Sequence, residues 1–266
     1  MQAGNGTRPG EKTMQRDELV QFLDSMLLAE YPCEDSSNNG LQVEGCDEVQ
    51  RVAFAVDGCL EVFEQAVEAG ADFLIVHHGI SWGPGFRTLT GTTAARFRTL
   101  FCNGLSLYGV HLPLDAHADV GNNAMLARAL GLHGRQTFAE YHGIEIGYHG
   151  TLPVPMSLDE FAGLVAETVG GEPVVVNAGP ETIVNIGIVS GGGADAIPET
   201  ARLGLDCLLT GEIAHQNIHT AREYGVNVVA AGHYLTETWG VRAVMECVKE
   251  NFPSVDCVFL DVPTGF

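Results

Sequence analysis

Lysine is almost absent from this sequence: Lys12 and Lys249 are the only two, against eleven arginines and 34 acidic residues, for a formal net charge of −21. Nucleic acid is held through a basic surface that neutralises phosphates, so an open nucleic-acid-binding role is not expected. No apolar run approaches the roughly 18–20 residues that span a bilayer, and the first residues lack a basic-then-apolar signal pattern. The expectation is a soluble, cytoplasmic protein without a membrane partner. Seven cysteines, Cys33, Cys46, Cys59, Cys102, Cys207, Cys247 and Cys257, include no C-x-x-C pair. Buried, reduced thiols are expected, and neither a disulfide framework nor a zinc–cysteine site. There is no G-x-S-x-G elbow, which removes support for a Ser-His-Asp hydrolase, and no P-loop Lys-Ser/Thr.

What is present is an alternation of strand and helix. At 266 residues with 45 % hydrophobic and 18 % charged content, one large or two medium α/β domains are expected. After the polar, glycine-rich start "MQAGNGTRPGEKT", read as a disordered extension over residues 1–13, apolar residues recur at helical spacing in "DELVQFLDSMLL". "VQRVAFAVDG", "DFLIV" and "LSLYGV" read as buried strands between helices closed by Gly70, Gly104 and Gly131. From Arg135 to Pro155 the pattern changes to short β-like pieces with prolines, and a second strand–helix series follows, from "LDEFAGLVAETVG" through "VNVVAAG", before a last helix "TETWGVRAVMECVKEN" and strand "DCVFLDVP". This order predicts an α/β protein with parallel-rich sheets flanked by helices. The division expected is 14–134 with 233–266 as one domain and 135–232 as a second of similar style.

In such sheets, functional side chains gather beyond the carboxyl ends of the strands. Three strand ends carry histidine. "FLIVHHG" offers His77 and His78; "YGVHLPLDAH" offers His111, Asp115 and His117; "AAGHYLTE" offers His233 and Glu237. Neutral imidazole with carboxylate is the ligand mixture of divalent transition metals, whereas calcium prefers oxygen alone. Neighbours at a strand tip can turn toward two ions, and a carboxylate such as Asp115 could bridge them at roughly 3.5–4 Å, an arrangement that brings the pKa of a shared water toward neutrality.

Other signals carry less. His215 and His219 have helical i, i+4 spacing but no Glu between them as in H-E-x-x-H, and read as a helix face. "SGGGAD", Ser190 to Asp195, reads either as a tight turn or as a modest anion site. Trp82 and Trp239 flank two of the histidine-bearing tips and read as wall or core aromatics.

The stretches "SSNNGLQVEG", "LIVHHGISW", "YGVHLPLDAH", "GNNAMLA", "SGGGAD", "LLTGEIAHQNIHTAREYGVNVVAAGHYLTE" and "GVRA" together resemble the NIF-three-like family, whose members carry the name GTP cyclohydrolase I type 2 homologue. The likeness keeps motif order from about Arg16 to Pro263. It implies two interleaved α/β domains and a centre of two divalent metal ions (zinc, iron, manganese or cobalt) facing the interior of a toroidal homohexamer built from dimers. Carried over residue by residue, the implied ligands are His77, His78, Asp115, His233 and Glu237, with His111 and His117 near the site as orienting partners or proton donors. The activity implied is metal-dependent hydrolysis of a small-molecule or phosphate-containing substrate: purine ring opening, or phosphoester or amide cleavage. The alternative is a non-catalytic metal-binding, metal-trafficking or regulatory ring.

Overall fold

A computed structural model describes residues 13–266, so all of the expected N-terminal extension except Thr13 lies outside the described residues. Two sheets carry the architecture. The first has five strands in the order Asp256–Phe259, Arg51–Asp57, Phe73–His78, Ser106–Gly109, Gly40–Val43, all parallel except the last. The second has six: His133–Tyr141, Ile144–Ser157, Thr182–Val189, Cys207–Thr210, Asn227–Ala230 and Val174–Val176, with the middle three parallel. Mixed α/β with parallel-rich sheets and flanking helices is the fold read from the sequence.

The period of two along each strand decides which side chains enter which core. In the first sheet Val52, Phe54, Phe73 and Ile75 join one apolar layer, while Ala53, Ala55, Leu74 and Val76 join the layer on the opposite face. In the second, Ile186, Ile188 and Leu209 face one layer, and Val189, Leu208 and Val228 the other. Both sheets are therefore covered on both faces, which is why their strands read as continuous apolar runs. Each fully buried Leu or Phe in these layers contributes about 1.5–3 kcal/mol.

The long helix His233–Asn251 ties the two sheets together. It begins directly after the second sheet's strand Asn227–Ala230, yet its Val241, Val244, Met245 and Val248 pack in the core of the first sheet. The carboxyl ends of the parallel strands from both sheets consequently supply residues to one common region. No helix among the described residues is long and apolar enough to cross a membrane.

Three local expectations change. The segment read as short β-like pieces is a long antiparallel hairpin, His133–Tyr141 with Ile144–Ser157, at the edge of the second sheet. The last helix starts at His233, three residues before the expected Thr236, because Gly232 (φ 94°) turns the chain straight into it. All seven cysteines are unpaired, but only Cys207 is fully buried, five are half-buried and Cys102 is exposed.

Candidate metal centre

The strand Phe73–His78 carries His77 and His78 past its last pairing with the strand Ser106–Gly109, and the two rings approach, with centroids 4.6 Å apart. His77 is wholly buried. Its Nδ1–H donates to the Val110 carbonyl at 2.9 Å, which leaves Nε2 facing Asp115 Oδ2 at 3.5 Å and Glu237 Oε1 at 3.6 Å. His78 donates Nδ1–H to Asp57 at 2.8 Å, and its Nε2 lies 3.3 Å from Glu237 Oε2. His233 and Glu237 are one helical turn apart, so they share a face, with His233 Nε2 at 3.1 Å from Glu237 Oε2 and Nδ1 at 3.4 Å from Glu212. These tautomers follow from the hydrogen-bond partners.

In each ring an outer partner occupies one nitrogen and the other is turned inward, the arrangement that orients metal-binding histidines. Two sets of potential ligand atoms result, His77/Asp115/Glu237 and His78/His233/Glu237, each within 4.8 Å of one another; a third grouping is His77/His78/His111. Glu237 belongs to both carboxylate-bearing sets and presents Oε1 to one and Oε2 to the other. Asp115 commits Oδ1 to Asn122 at 2.9 Å and Ser190 at 3.2 Å, and Glu237 is the carboxylate common to the two sets.

Within these sets His77 Nε2 and Glu237 Oε2 are buried without a hydrogen-bond partner among the described residues. A buried polar atom left unmatched is costly, and both of these face inward. The field there favours positive charge. Burial lowers the His77 pKa, but Asp115 and Glu237 outweigh it and raise it to about 10. The Glu237 carboxylate beside the ring outweighs burial and raises His233 to about 9. Burial would push Glu237 up, and His77, His233 and His78 instead hold it well below the carboxylate range. An enclosed ligand set that draws in positive charge and leaves two of its atoms unmatched fits divalent cations.

The remaining expected residues separate. His111 lies at the cluster, its ring 5.2 Å from that of His77, and its Nδ1–H donates to Asp35 at 2.9 Å. Burial would raise Asp35; hydrogen bonds from His111, Asn39 and the Ser37 N–H override it and hold it at about 2. His117 is not brought to the cluster. Its Nε2–H donates to Met26 O at 3.1 Å and its Nδ1 accepts from the Asp119 and Val120 N–H groups at 3.1 and 3.2 Å, so both nitrogens serve the backbone. His215 and His219 lie on the surface helix His215–Tyr224, away from the cluster. Trp82 forms a wall, edge-on to His111 at 5.1 Å, and Trp239 packs at the second sheet's core.

"SGGGAD" resolves as a tight turn. The N–H groups of Ser190, Gly191 and Gly193 donate to Asn123, Thr236 and Thr210 at 2.7, 3.0 and 3.0 Å, and are spent inside the protein. Gly191 adopts φ 59°, and a Cβ there would run into Glu237 Oε1, so a side chain at this position would displace the central carboxylate.

Sequence reading missed Asp57, Asp35 and Glu212 as partners. Asp57 carried a signal, since it ends the strand whose register sets it beside His78. The site adjoins a cavity of about 330 Å³ whose lining includes His78, His111, Asp115, His233 and Glu237.

The sequence matches the family Duf34/NIF3 (NGG1p interacting factor 3) over residues 14–265. A Pyrococcus horikoshii protein named GTP cyclohydrolase 1 type 2 homolog is 48 % identical over 254 residues, 95 % of this chain and 100 % of that one. Its Deinococcus radiodurans namesake is 44 % identical, with both chains covered in full. A crystal structure of a Thermus thermophilus protein superposes with a TM-score of 0.85 at 41 % identity, covering 95 % of this chain and 100 % of the other.

Proposed function

Because the chain belongs to the Duf34/NIF3 family, we propose that it holds two divalent cations and uses them in the hydrolysis of a small molecule. The observation that carries this reading is the pair of inward-facing ligand sets sharing Glu237, with His77 Nε2 and Glu237 Oε2 buried and unmatched. His77, Asp115 and Glu237 would hold one cation; His78, His233 and Glu237 would hold the other. Bound there, two cations supply Lewis acidity, lowering the pKa of water and stabilising oxyanion character as it develops. Asp57, Glu212 and the Val110 carbonyl keep the imidazoles in the tautomer that turns a lone pair inward. His111, oriented by Asp35, gives or takes a proton at Nε2. Three imidazoles and two carboxylates suit zinc, iron, manganese and cobalt alike.

The relatives' name suggests opening of a purine ring, and phosphoester or amide hydrolysis would use the same groups. Turnover of GTP, a phosphodiester and a peptide by metal-loaded protein, each against Asp115→Asn, tests the reading. Turnover lost in the variant supports it. Two bound metals with no turnover of any of the three overturns the hydrolase and leaves a metal-binding protein, and a metal content far below two per chain overturns the centre itself. The assembly that belongs with this proposal is a toroidal homohexamer, supported by the family likeness, and a single-chain mass by light scattering would remove it.

A further inference from the structure

The helix Asn122–Ala129 begins with two adjacent asparagines, both wholly buried. A buried amide is costly unless its polar ends are met, and here all of them are. Asn122 donates Nδ2–H to Asp115 Oδ1 at 2.9 Å and accepts the Gly240 N–H at its own Oδ1, at 2.7 Å. Asn123 donates to the Ile146 carbonyl at 2.8 Å and accepts the Ser190 N–H at 2.7 Å. The partners of Asn122 fix which way round its amide lies, because a carboxylate oxygen can only accept and a main-chain N–H can only donate.

These contacts join parts of the site that lie far apart in the chain. Asp115 follows the first sheet's strand Ser106–Gly109, and Gly240 lies one turn beyond Glu237 on the helix His233–Asn251. One end of the Asn122 amide therefore touches a candidate ligand, and the other touches the helix that carries the second carboxylate. Gly240 shows that the approach is built in: glycine inside a helix is unfavourable relative to alanine, yet a Cβ there would lie 2.8 Å from Asn122 Oδ1. Ser190, held by Asn123, adds its hydroxyl to Asp115 Oδ1 at 3.2 Å. Both donors fall on Oδ1, and Oδ2 is the oxygen that faces His77 Nε2, at 3.5 Å.

We infer that Asn122 is a positioning residue: it sets the direction of Asp115 and its distance from the helix of Glu237, and so governs the cation held by His77, Asp115 and Glu237 and not the one held by His78, His233 and Glu237. The inference rests on the two-cation reading of the site. Asp115 belongs to the first of these sets and not to the second. A donor fixed on one carboxylate oxygen orders the side chain before a cation arrives, and without it that ordering has to accompany binding.

Asn122→Asp keeps the size of the side chain and the acceptor for Gly240, and replaces only the donor that faces Asp115. The probe is zinc, titrated into the metal-stripped full chain in competition with a chromophoric chelator, with metal content after dialysis as a second readout. The natural protein is expected to hold two zinc ions, and the variant to hold one of them as before and the other about 10–100-fold more weakly. A residue needed only for folding would weaken both together. In a His77→Ala background, where the first set is already broken, Asn122→Asp is expected to change the remaining affinity by no more than about twofold, whereas in a His233→Ala background it weakens the ion that is left. Both ions bound as in the natural protein, or both weakened alike, overturns the inference and leaves the two-cation reading standing. A natural protein that holds far fewer than two ions overturns that reading, and the inference falls with it. Ser190→Ala removes only the second donor on Oδ1 and supplies the answer if Asn122→Asp does not fold: a loss of about threefold for one ion is expected, and no loss overturns the inference. Circular dichroism of the metal-stripped variants keeps a folding defect from imitating the result.

Discussion

Two pairs of histidines that are near neighbours in sequence behave oppositely. His77 and His78 end a buried strand, with ring centroids 4.6 Å apart; His215 and His219 lie one turn apart on a surface helix, with centroids 5.6 Å apart. Spacing barely distinguishes them. What differs is the surround: each ring of the first pair is held from behind, by the Val110 carbonyl or Asp57, and each meets a Glu237 oxygen in front. His215 and His219 belong to none of the candidate ligand groupings among the described residues. Two imidazoles become a candidate centre through convergence and outer support, and proximity alone does not provide either.

The largest effect expected is from removing the cations. A ligand bound at about a thousand times its Kd stabilises the folded state by about 4 kcal/mol, so chelation should lower the thermal midpoint by on the order of 10 °C. In Glu237→Gln, which weakens both ligand sets at once, chelation should change the midpoint little. Equal chelator sensitivity in the two proteins would place the stabilising ion elsewhere and break the comparison. Next in size is the outer support. Asp57→Asn leaves every inward-facing group in place but weakens the acceptor that holds His78, and loss of such a partner reduces metal affinity about 10–100-fold. Competition with a chromophoric chelator measures it, and an unchanged affinity would mean that convergence suffices without support from behind.

Much of the site was legible because parallel sheets put the chemistry at strand ends: His77, His78, His111, Asp115, His233 and Glu237 all stand within a few residues of one. Asp57 stands at a strand end too, but as a lone carboxylate with no histidine beside it in sequence; only the pairing of Asp57 with His78 shows what it does. Asp35 gave no such signal. It lies in an irregular loop and meets His111 only because the fold joins residues 76 apart. The hairpin His133–Tyr141 with Ile144–Ser157 was obscured by Gly147, Gly150, Pro153 and Pro155, which interrupt any regular alternation; its inner strand is held in the sheet by pairing with Thr182–Val189, a tertiary cause. His117 shows the reverse error, a histidine near the right strand end that the backbone had already claimed at both nitrogens.

The smallest effect expected is the sharpest test of what separates the two pairs. His215→Ala/His219→Ala should leave metal content and chelator competition unchanged, because neither ring faces a carboxylate in a candidate grouping. Stability should rise slightly. His215 and His219 both lie within the helix His215–Tyr224, and alanine improves helix propensity by up to about 0.7 kcal/mol per residue. A thermal melt with metal analysis of the same samples decides the matter: a loss of bound metal in this variant would show that i, i+4 spacing on a surface helix recruits an ion without support from behind, and the distinction between the pairs would fall.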